Sequence, residues 1–262
     1  MKIKTKFDKL KKIYHISDIQ IRNLKRHKEY EQVFENLYKF ISQDTEDAVI
    51  YIGGDIAHSK TDMSPELVDQ LSRLFKRLSE LCPTLLIAGN HDCNLNNRSR
   101  LDVLQPIVDN IKNENLHYLN ETGVYYVGDV GFAVLEVRDN EINLPDPKEI
   151  KSKTKALLFH GTVDKSQTDL GFNLPSAVKL KDFDGYDMVL LGDIHKMQTM
   201  QEYKAGKVTK PIVRYCGSLV QQNHGETVKG HGVSVWNVKD RTFTHKEIEN
   251  EYGYYTLDID GG

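Results

Sequence analysis

Five short segments of the sequence place oxygen- or nitrogen-bearing side chains directly after apolar runs. They lie at residues 17–20, 53–58, 89–92, 160–161 and 192–195. Carboxylate, amide and imidazole groups are ligands of divalent metal ions. A two-ion centre that hydrolyses phosphoesters needs about seven such ligands, and one of them is a carboxylate that bridges both ions. A single strand or helix cannot supply that set, so several strand ends must converge on one rim.

Asp55 is the strongest candidate for the bridging carboxylate. The two glycines before it allow the sharp turn that brings one side chain to two ions. Asn90 can ligate through its amide oxygen, which leaves the adjacent His91 free to stabilise charge or to protonate a leaving oxygen. His160 and His195 each follow an apolar run and lie close to glycine, which favours metal ligation.

The other histidines carry weaker signals. His58 follows Asp55 by three residues, so it could contact substrate or only stabilise the turn. The rest are interpreted as structural: His15, His27, His117, His224, His231 and His245.

The composition is that of a soluble globular protein, with 39% hydrophobic and 28% charged residues among 262. No apolar run is long enough to span a bilayer, and the Lys-rich start lacks the apolar core of a secretory signal. The three cysteines form no C-x-x-C pair, which argues against a disulfide framework or a zinc knuckle. We therefore expect an intracellular protein, either cytoplasmic or associated with DNA, with no membrane partner.

The charge distribution is uneven. The net charge of -3 does not by itself indicate a nucleic-acid binder. Basic residues nevertheless cluster at the N-terminus, at residues 22–28 and at residues 98–100. Such clusters beside a carboxylate-rich site suit a phosphodiester ligand, although solvated surface is the simpler interpretation of any single lysine.

Apolar periodicity predicts the elements that position the five segments. In the first third, strands are predicted at 13–16, 48–52 and 84–88, with helices at 29–43 and from Pro65 to the stop at Pro83. Ser64 is the expected N-cap of the second helix. This order implies a parallel sheet with right-handed crossovers, in which ligands follow the carboxyl ends of the strands.

The later part of the chain is richer in predicted strands. We expect a hairpin at 123–137, an irregular loop at 140–152, strands at 156–159, 188–191 and 213–216, and an antiparallel meander at 233–238, 242–248 and 254–259. Two sheets packed face to face, with helices outside, accommodate these elements in one domain of residues 1–262.

The five segments together resemble the calcineurin-like metallophosphoesterase superfamily, with the resemblance extending over residues 13–225. Its pattern is D-x-H, G-D, G-N-H-[DE], H-G and G-H-x-H. The matching residues are Asp18-Ile19-Gln20, Gly54-Asp55, Gly89-Asn90-His91-Asp92, His160-Gly161 and Gly192-Asp193-Ile194-His195. The resemblance implies an α/β fold, a four-layer α-β-β-α sandwich of two mixed sheets flanked by helices.

Within this superfamily the chain is most similar to the Mre11/SbcD DNA-repair nucleases. The similarity rests on Gly-Asp-Ile-Ala-His at 54–58, Gly-Asp-Ile-His-Lys at 192–196, and the Gly-Ser-Leu segment at 217–219 with Gly225-Glu226 after it. It implies a metal-dependent exo- or endonuclease acting on DNA ends or hairpins in repair or recombination. It also implies a coiled-coil ATPase partner of the Rad50/SbcC type, and it leaves a homodimer open.

Carried over residue by residue, the resemblance implies two divalent metal ions. One ion would be held by Asp18, Gln20, Asp55 and His195. The other would be held by Asp55, Asn90, His160 and Asp193. His91 would be the catalytic histidine, with His58 as an auxiliary one near the substrate.

The sequence departs from the family pattern at two ligands. Gln20 replaces a histidine of the first motif, and Asp193 replaces the first histidine of the last motif. Both changes exchange nitrogen for oxygen, which favours hard ions, Mn²⁺ first and Mg²⁺ second, over Zn²⁺.

Two alternative functions follow from the fold and from these departures, and the end of the sequence is a third departure. The same metal core serves phosphodiesterases of small molecules and phosphoprotein phosphatases. Gln20 and Asp193 also suit a weakly catalytic DNA-binding subunit. Finally, the nuclease branch continues into a capping domain where this sequence stops, so we interpret residues 1–262 as a truncated nuclease core.

We predict that Gln20→His tightens metal binding, because imidazole is the stronger ligand at this position. Isothermal titration of Mn²⁺ into the wild type and the variant measures the change. Equal affinities would argue against Gln20 as a ligand.

Overall fold

Two mixed β-sheets form the centre of the structure, a computed structural model that describes residues 1–139, 142–200 and 211–255, together with the backbone of two short strands between 203 and 208. The helices are α1 (His27–Ser42), α2 (Pro65–Leu81) and α3 (Gln105–Ile111). The strands are β1 (Lys2–Ile3), β2 (Lys12–Ile16), β3 (Ala48–Ile52), β4 (Thr84–Leu86), β5 (Leu116–Tyr118), β6 (Gly123–Val127), β7 (Val130–Leu135), β8 (Thr154–His160), β9 (Ser166–Gln167), β10 (Asn173–Leu174), β11 (Met188–Gly192), β12 (Gln198–Thr199), β13 (Tyr203–Lys204), β14 (Lys207–Val208), β15 (Ile212–Tyr215), β16 (Gly232–Asn237) and β17 (Thr242–Glu247).

Each large sheet contains a run of parallel strands. One sheet has the order β1-β6-β7-β8-β11-β15-β12, and β7, β8, β11 and β15 are parallel. The other has the order β17-β16-β2-β3-β4-β5, and β2 to β5 are parallel. The α/β class and the two mixed sheets expected from the sequence are confirmed.

Alternation along the strands builds a core on each face of the sheets. On β3, Val49 and Tyr51 face the space between the sheets, whereas Ile50 and Ile52 face the helices. This period of two is what a strand buried on both faces requires. The core between the sheets also contains Trp236, which is fully buried.

The outer layers differ from one another. Helices α1 and α2 pack on the six-stranded sheet through residues such as Leu37 and Phe75. The outer face of the seven-stranded sheet is covered by Ile150, Val163 and Phe183, which lie in irregular segments and one 3-10 turn. The described α-helices therefore all flank the six-stranded sheet, and the outer cover of the other sheet consists of irregular segments and a 3-10 turn.

The predicted strands and helices are confirmed with boundary shifts of one to two residues, apart from one strand. Sequence periodicity missed α3, which has seven residues, and several strands of two or three residues, which are β1, β5, β9, β10, β12, β13 and β14. The strand predicted at 254–259 is wrong at Tyr254 and Tyr255, and 256–259 lie outside the described residues. The loop predicted at 140–152 is irregular over 142–152, and its first two residues are not described.

Three further features concern the cysteines, the helices and the start of α2. All three cysteines are buried free thiols, so the absence of a disulfide framework is confirmed. Within the described ranges, no helix has the length and apolar character needed to cross a bilayer. Ser64 caps α2, because its hydroxyl accepts a hydrogen bond from the Leu67 amide at 3.3 Å while Pro65 occupies the first turn.

We expect Ser64→Ala to lower the free energy of unfolding by about 1 kcal/mol, because the first turn of α2 loses its side-chain acceptor. Urea denaturation in the presence of a chelator measures the change. Ser72→Ala is the matched control, since Ser72 is exposed on the same helix and bonds the Val68 carbonyl one turn earlier. Equal destabilisation by both variants would contradict the capping role.

Candidate metal centre

The two sheets meet along a rim formed by the carboxyl ends of their central strands. Asp18 and Asp55 follow β2 and β3 of one sheet, whereas His160 ends β8 of the other. The rim is held by backbone contacts, since the Asp18 amide donates to the Gly54 carbonyl at 3.1 Å. A bridge between Ser17 and Ser218 joins the same region. The convergence of strand ends expected from the sequence is therefore present.

Four of the predicted ligands have a left-handed backbone. The φ angles are 51° at Asp18, 48° at Gln20, 50° at Asp55 and 99° at Asp193. Residues other than glycine rarely adopt this region, and it persists only where the surroundings impose it. Here the Gln20 amide donates to the Asp55 carbonyl at 2.9 Å, so two strained turns support one another. Such strain clusters at functional sites.

A buried triad forms the centre of the rim. Asp18, Asp55 and His160 each offer one ligand atom, and these atoms lie within 4.8 Å of one another. The Nδ1–H of His160 donates to the Gly53 carbonyl at 2.7 Å, which directs Nε2 at the carboxylates. His160 Nε2 lies 3.4 Å from Asp55 Oδ1 and 3.1 Å from the amide oxygen of Asn90.

The remaining predicted ligands surround this triad. His195 Nε2 lies 3.9 Å from Asp18 Oδ1, and Asp193 Oδ1 lies 3.9 Å from His160 Nε2. Gln20 Nε2 lies 3.0 Å from His195 Nε2. The structure thus brings all seven predicted ligand residues to one place, and their ligation of metal stays a prediction.

The two predicted catalytic histidines lie together at the solvent side of Asp55. The His91 amide donates to Asp55 Oδ1 at 2.9 Å, and His91 Nε2 lies 3.9 Å from Asp55 Oδ2. The rings of His58 and His91 are stacked with centroids 5.5 Å apart. The His91 side chain is 37% exposed, so its ring remains accessible to a substrate.

The electrostatics of the rim are those of a cation site. Burial raises the pKa of Asp18 to about 6, with His160 and His195 opposing the shift. Burial lowers the pKa of His160, but Asp55 and Asp18 outweigh it and raise the pKa to about 9. Among the described residues, no Lys or Arg pairs with Asp18 or Asp55. The buried negative charge therefore lacks a permanent positive partner within the described chain.

The donors and the space around them fit divalent ions. Carboxylate, amide and imidazole donors converge at buried positions, as hard and borderline cations require. Gly89 is essential to this approach, because a Cβ there would overlap Asp55 Oδ1. Gly192 has a similar role, because a Cβ there would overlap the Gly53 carbonyl and the Ser17 hydroxyl.

Two acidic residues support the centre, although the sequence analysis assigned them no role. Glu226 accepts a hydrogen bond from His195 Nδ1 at 2.7 Å, which directs Nε2 of that ring at the rim. Asp92 is fully buried and accepts from the amides of Gly89, Ile56 and Ala57, so it ties two ligand turns together. Glu226 and Asp92 are part of the motifs named in the sequence analysis. Their roles were missed because His195, Ile56 and Ala57, which donate to them, lie more than 30 residues away in the sequence.

The amide of Gln20 is oriented by its neighbours. Its Oε1 accepts from His58 Nδ1 at 3.1 Å, and its Nε2 faces His195 and Asp55. An amide ligates metal through oxygen, so ligation by Gln20 requires a half-turn of this group. The half-turn exchanges the two atoms without moving the backbone.

Only some of the basic residues near the first motif are free to meet a ligand. Arg26 forms a two-fold hydrogen bond with Glu29 at 2.6 and 2.7 Å, so its role is structural. Arg22 donates to the Gln222 carbonyl at 3.1 Å, and its charge lies close enough to His58 to lower that pKa after the larger effect of burial. Arg98 pairs with Asp139 on the surface.

We predict that Glu226→Gln weakens metal binding by about 10- to 100-fold, because a ligating histidine loses its charged hydrogen-bond acceptor. Isothermal titration with Mn²⁺ measures the affinity without relying on activity. Glu251→Gln, an exposed acid, is the control and should bind as the wild type does. An unchanged affinity in Glu226→Gln would show that His195 is oriented by other contacts.

Comparison with known proteins gives the family of this chain. The family model of the calcineurin-like phosphoesterases matches residues 11–197. An uncharacterized protein, R555, of Acanthamoeba polyphaga mimivirus is 42% identical over 265 residues, covering 97% of this chain and 19% of the viral protein. The crystal structure of the Pseudomonas putida nuclease MPE is 12% identical and aligns with 87% of this chain and 85% of its own, with a TM-score of 0.38.

The chain spans only 19% of the length of its viral relative, and the Mre11/SbcD similarity stays a prediction. Because the family model matches more than half of its residues, the chain belongs to the calcineurin-like phosphoesterase family, whose members bind divalent metal ions.

Proposed function

We propose that this chain is a metal-dependent phosphodiesterase that cleaves DNA, as a nuclease of the Mre11/SbcD type acting on ends or hairpins. The observation that carries the proposal is the buried triad of Asp18, Asp55 and His160, with the accessible ring of His91 beside it. The Rad50/SbcC-type ATPase partner and the homodimer remain predictions from resemblance.

Seven residues would hold the metal ions: Asp18, Gln20, Asp55 and His195 for one ion, and Asp55, Asn90, His160 and Asp193 for the other. Divalent ions bound there supply Lewis-acid stabilisation of a phosphoryl oxygen and a water of lowered pKa. The chain itself orients these donors through the backbone carbonyl of Gly53 and the carboxylate of Glu226. These hydrogen bonds orient His160 and His195 before an ion binds, whereas the amide of Gln20 must turn over to present its oxygen.

His91 is placed to move a proton. Its Nδ1–H donates to the His58 carbonyl at 2.7 Å, which leaves Nε2 facing the open side of the rim. When the ring is protonated, the Nε2–H can donate to a phosphoryl oxygen or to the leaving oxygen. The backbone amide of the same residue holds Asp55, so the proton donor and the carboxylate are fixed relative to each other.

His58 acts through His91 and Gln20. Burial, with the nearby charges of Arg22 and His91, lowers the pKa of His58, which favours its neutral form at neutral pH. The neutral ring stacks on His91 and donates to Gln20. His58 is therefore a positioning residue, and its carbonyl fixes the tautomer of the proton donor.

Positive charge at the rim supports a polyanionic substrate. Arg22 lies beside His58, and Lys60 Nζ donates to the Asn90 carbonyl at 3.3 Å. Cations that flank a scissile phosphate suit neighbouring phosphates of a polymer. Arg214, by contrast, is buried and donates to Ser234 at 2.9 Å, so its charge is engaged inside the protein.

The test is cleavage of end-labelled linear and hairpin DNA with Mn²⁺, Mg²⁺ or chelator. Bis-p-nitrophenyl phosphate, cyclic nucleotides and a phosphopeptide are assayed in parallel. Metal-dependent DNA cleavage that exceeds turnover of the small substrates supports the nuclease. Faster turnover of cyclic nucleotides or the phosphopeptide would support the corresponding alternative enzyme, and DNA binding without cleavage at saturating Mn²⁺ would support a binding subunit.

We predict that His91→Ala lowers kcat on DNA by about 10²- to 10⁴-fold, because the alkoxide leaving oxygen loses its proton donor. Metal affinity, measured by titration calorimetry, should stay close to that of the wild type. His58→Ala should cause a smaller loss, since the backbone carbonyl that orients His91 remains. A joint loss of metal and activity in His91→Ala would instead identify His91 as a ligand.

A further inference from the structure

An apolar hairpin tip lies beside the metal centre. Strands β9 and β10 pair, and the turn between them exposes Leu170 and Phe172 to 68% and 67%. Apolar side chains this exposed, next to each other and next to a site, indicate a contact surface for a ligand.

The tip is held in place by its own hydrogen bonds. The Thr168 amide donates to the Phe172 carbonyl at 3.1 Å, and the Phe172 amide donates to the Thr168 hydroxyl at 3.3 Å. Gly171 closes the turn with a φ of 82°, and its amide donates to the Thr168 carbonyl at 2.9 Å. The exposure of Phe172 is therefore a property of a defined turn.

The base of the hairpin is fixed to the strand that follows the last ligand motif. The Gln167 amide donates to the side-chain oxygen of Gln198 at 2.9 Å, and Gln198 Nε2 donates back to the Gln167 carbonyl at 2.7 Å. Gln198 begins β12, three residues after His195. These two hydrogen bonds anchor the base of the hairpin to the strand beside the metal centre.

A cavity of about 360 Å³ lies between the tip and residues 223–226. Leu170, Phe172 and Leu174 form an apolar wall, and Asp193 and His195 line the side towards the metal centre. The volume is near the lower end for small-molecule sites. Asp193 and His195 line both this cavity and the metal centre, so a group bound in the cavity lies next to a phosphate bound at the centre.

Several polar groups around the cavity are engaged with the protein, and the charged side chains of Asp169 and Lys196 also line it. The Asn223 amide oxygen accepts from the Gly225 amide at 2.8 Å, and its nitrogen donates to Glu226 at 2.7 Å. The Thr168 hydroxyl is bonded within the turn. The apolar wall of Leu170, Phe172 and Leu174 is the part of the lining that suits a flat apolar face.

We propose that this cavity is a base-binding subsite, in which Phe172 stacks on the nucleobase next to the scissile phosphate. The inference rests on the proposed nuclease function and adds a specificity-determining residue to it. A stacked base must be free on one face, so the subsite takes a base at an end or in an unpaired segment. Aromatic stacking tolerates every base, so we expect weak sequence preference.

The test compares two single-stranded polymers of equal length and charge, oligo-dT and an oligomer made only of abasic residues. With Mn²⁺, Phe172→Ala should lower kcat/KM on oligo-dT by about 5- to 150-fold, the range of stacking on one base. On the abasic polymer the variant should match the wild type. Phe172→Tyr keeps the ring and should retain most of the oligo-dT activity.

The controls separate this inference from the function on which it rests. Tyr252→Ala removes another exposed aromatic, 45% exposed and lining a different cavity, and should change neither rate. Methyl p-nitrophenyl phosphate reports the metal centre without a base. If Phe172→Ala lowers both polymers equally, or lowers neither, the base subsite is wrong and the nuclease stands. If the wild type hydrolyses the small ester but neither polymer, the nuclease function fails and the subsite with it.

Discussion

The repulsion between two buried carboxylates, Asp18 and Asp55, is the constraint on which this site depends. Both are enclosed at the junction of two sheets, where an unbalanced negative charge costs several kcal/mol of free energy. Within the described chain, imidazole rings and backbone amides lie close to the two carboxylates, and they reduce the repulsion without cancelling it. A fold that accepts this cost at its centre is organised around the binding of a cation.

The surroundings of the two carboxylates follow from that constraint. The left-handed turns at Asp18 and Asp55 aim both side chains inwards, and the turns are locked by hydrogen bonds between the two segments. Gly89 leaves the room that the Asp55 side chain occupies. Asp92, itself buried with a pKa raised to about 7 by burial and by Asp55, binds three backbone amides and holds the third turn against the second. The strained turns, the space beside Gly89 and the buried carboxyl of Asp92 therefore all hold Asp18 and Asp55 in the same arrangement.

The sequence predicted the parts of this arrangement that are local. Strand β3 was predicted to the residue, because a short, continuously apolar run between polar turns has few alternatives. The residues that the structure brings to the rim were predicted as ligands because each lies at or after the end of such a run. Pairings such as Glu226 with His195 were missed, since they depend on which loops the sheets bring together. For the same reason, charge alone did not distinguish Arg26, which is held by Glu29, from Arg22, which lies beside the site.

The position of the centre across two sheets has a consequence for the stability of the whole chain. The Asp193 amide contacts the Asp18 carboxylate across 175 residues of sequence, and a cation bound among these side chains crosslinks the sheets in the same way. The unfolded chain has no such cluster, so binding energy at the rim becomes folding energy. The melting temperature of the protein should therefore vary with the concentration of free metal, and the cellular supply of that ion becomes a determinant of how long the folded chain persists.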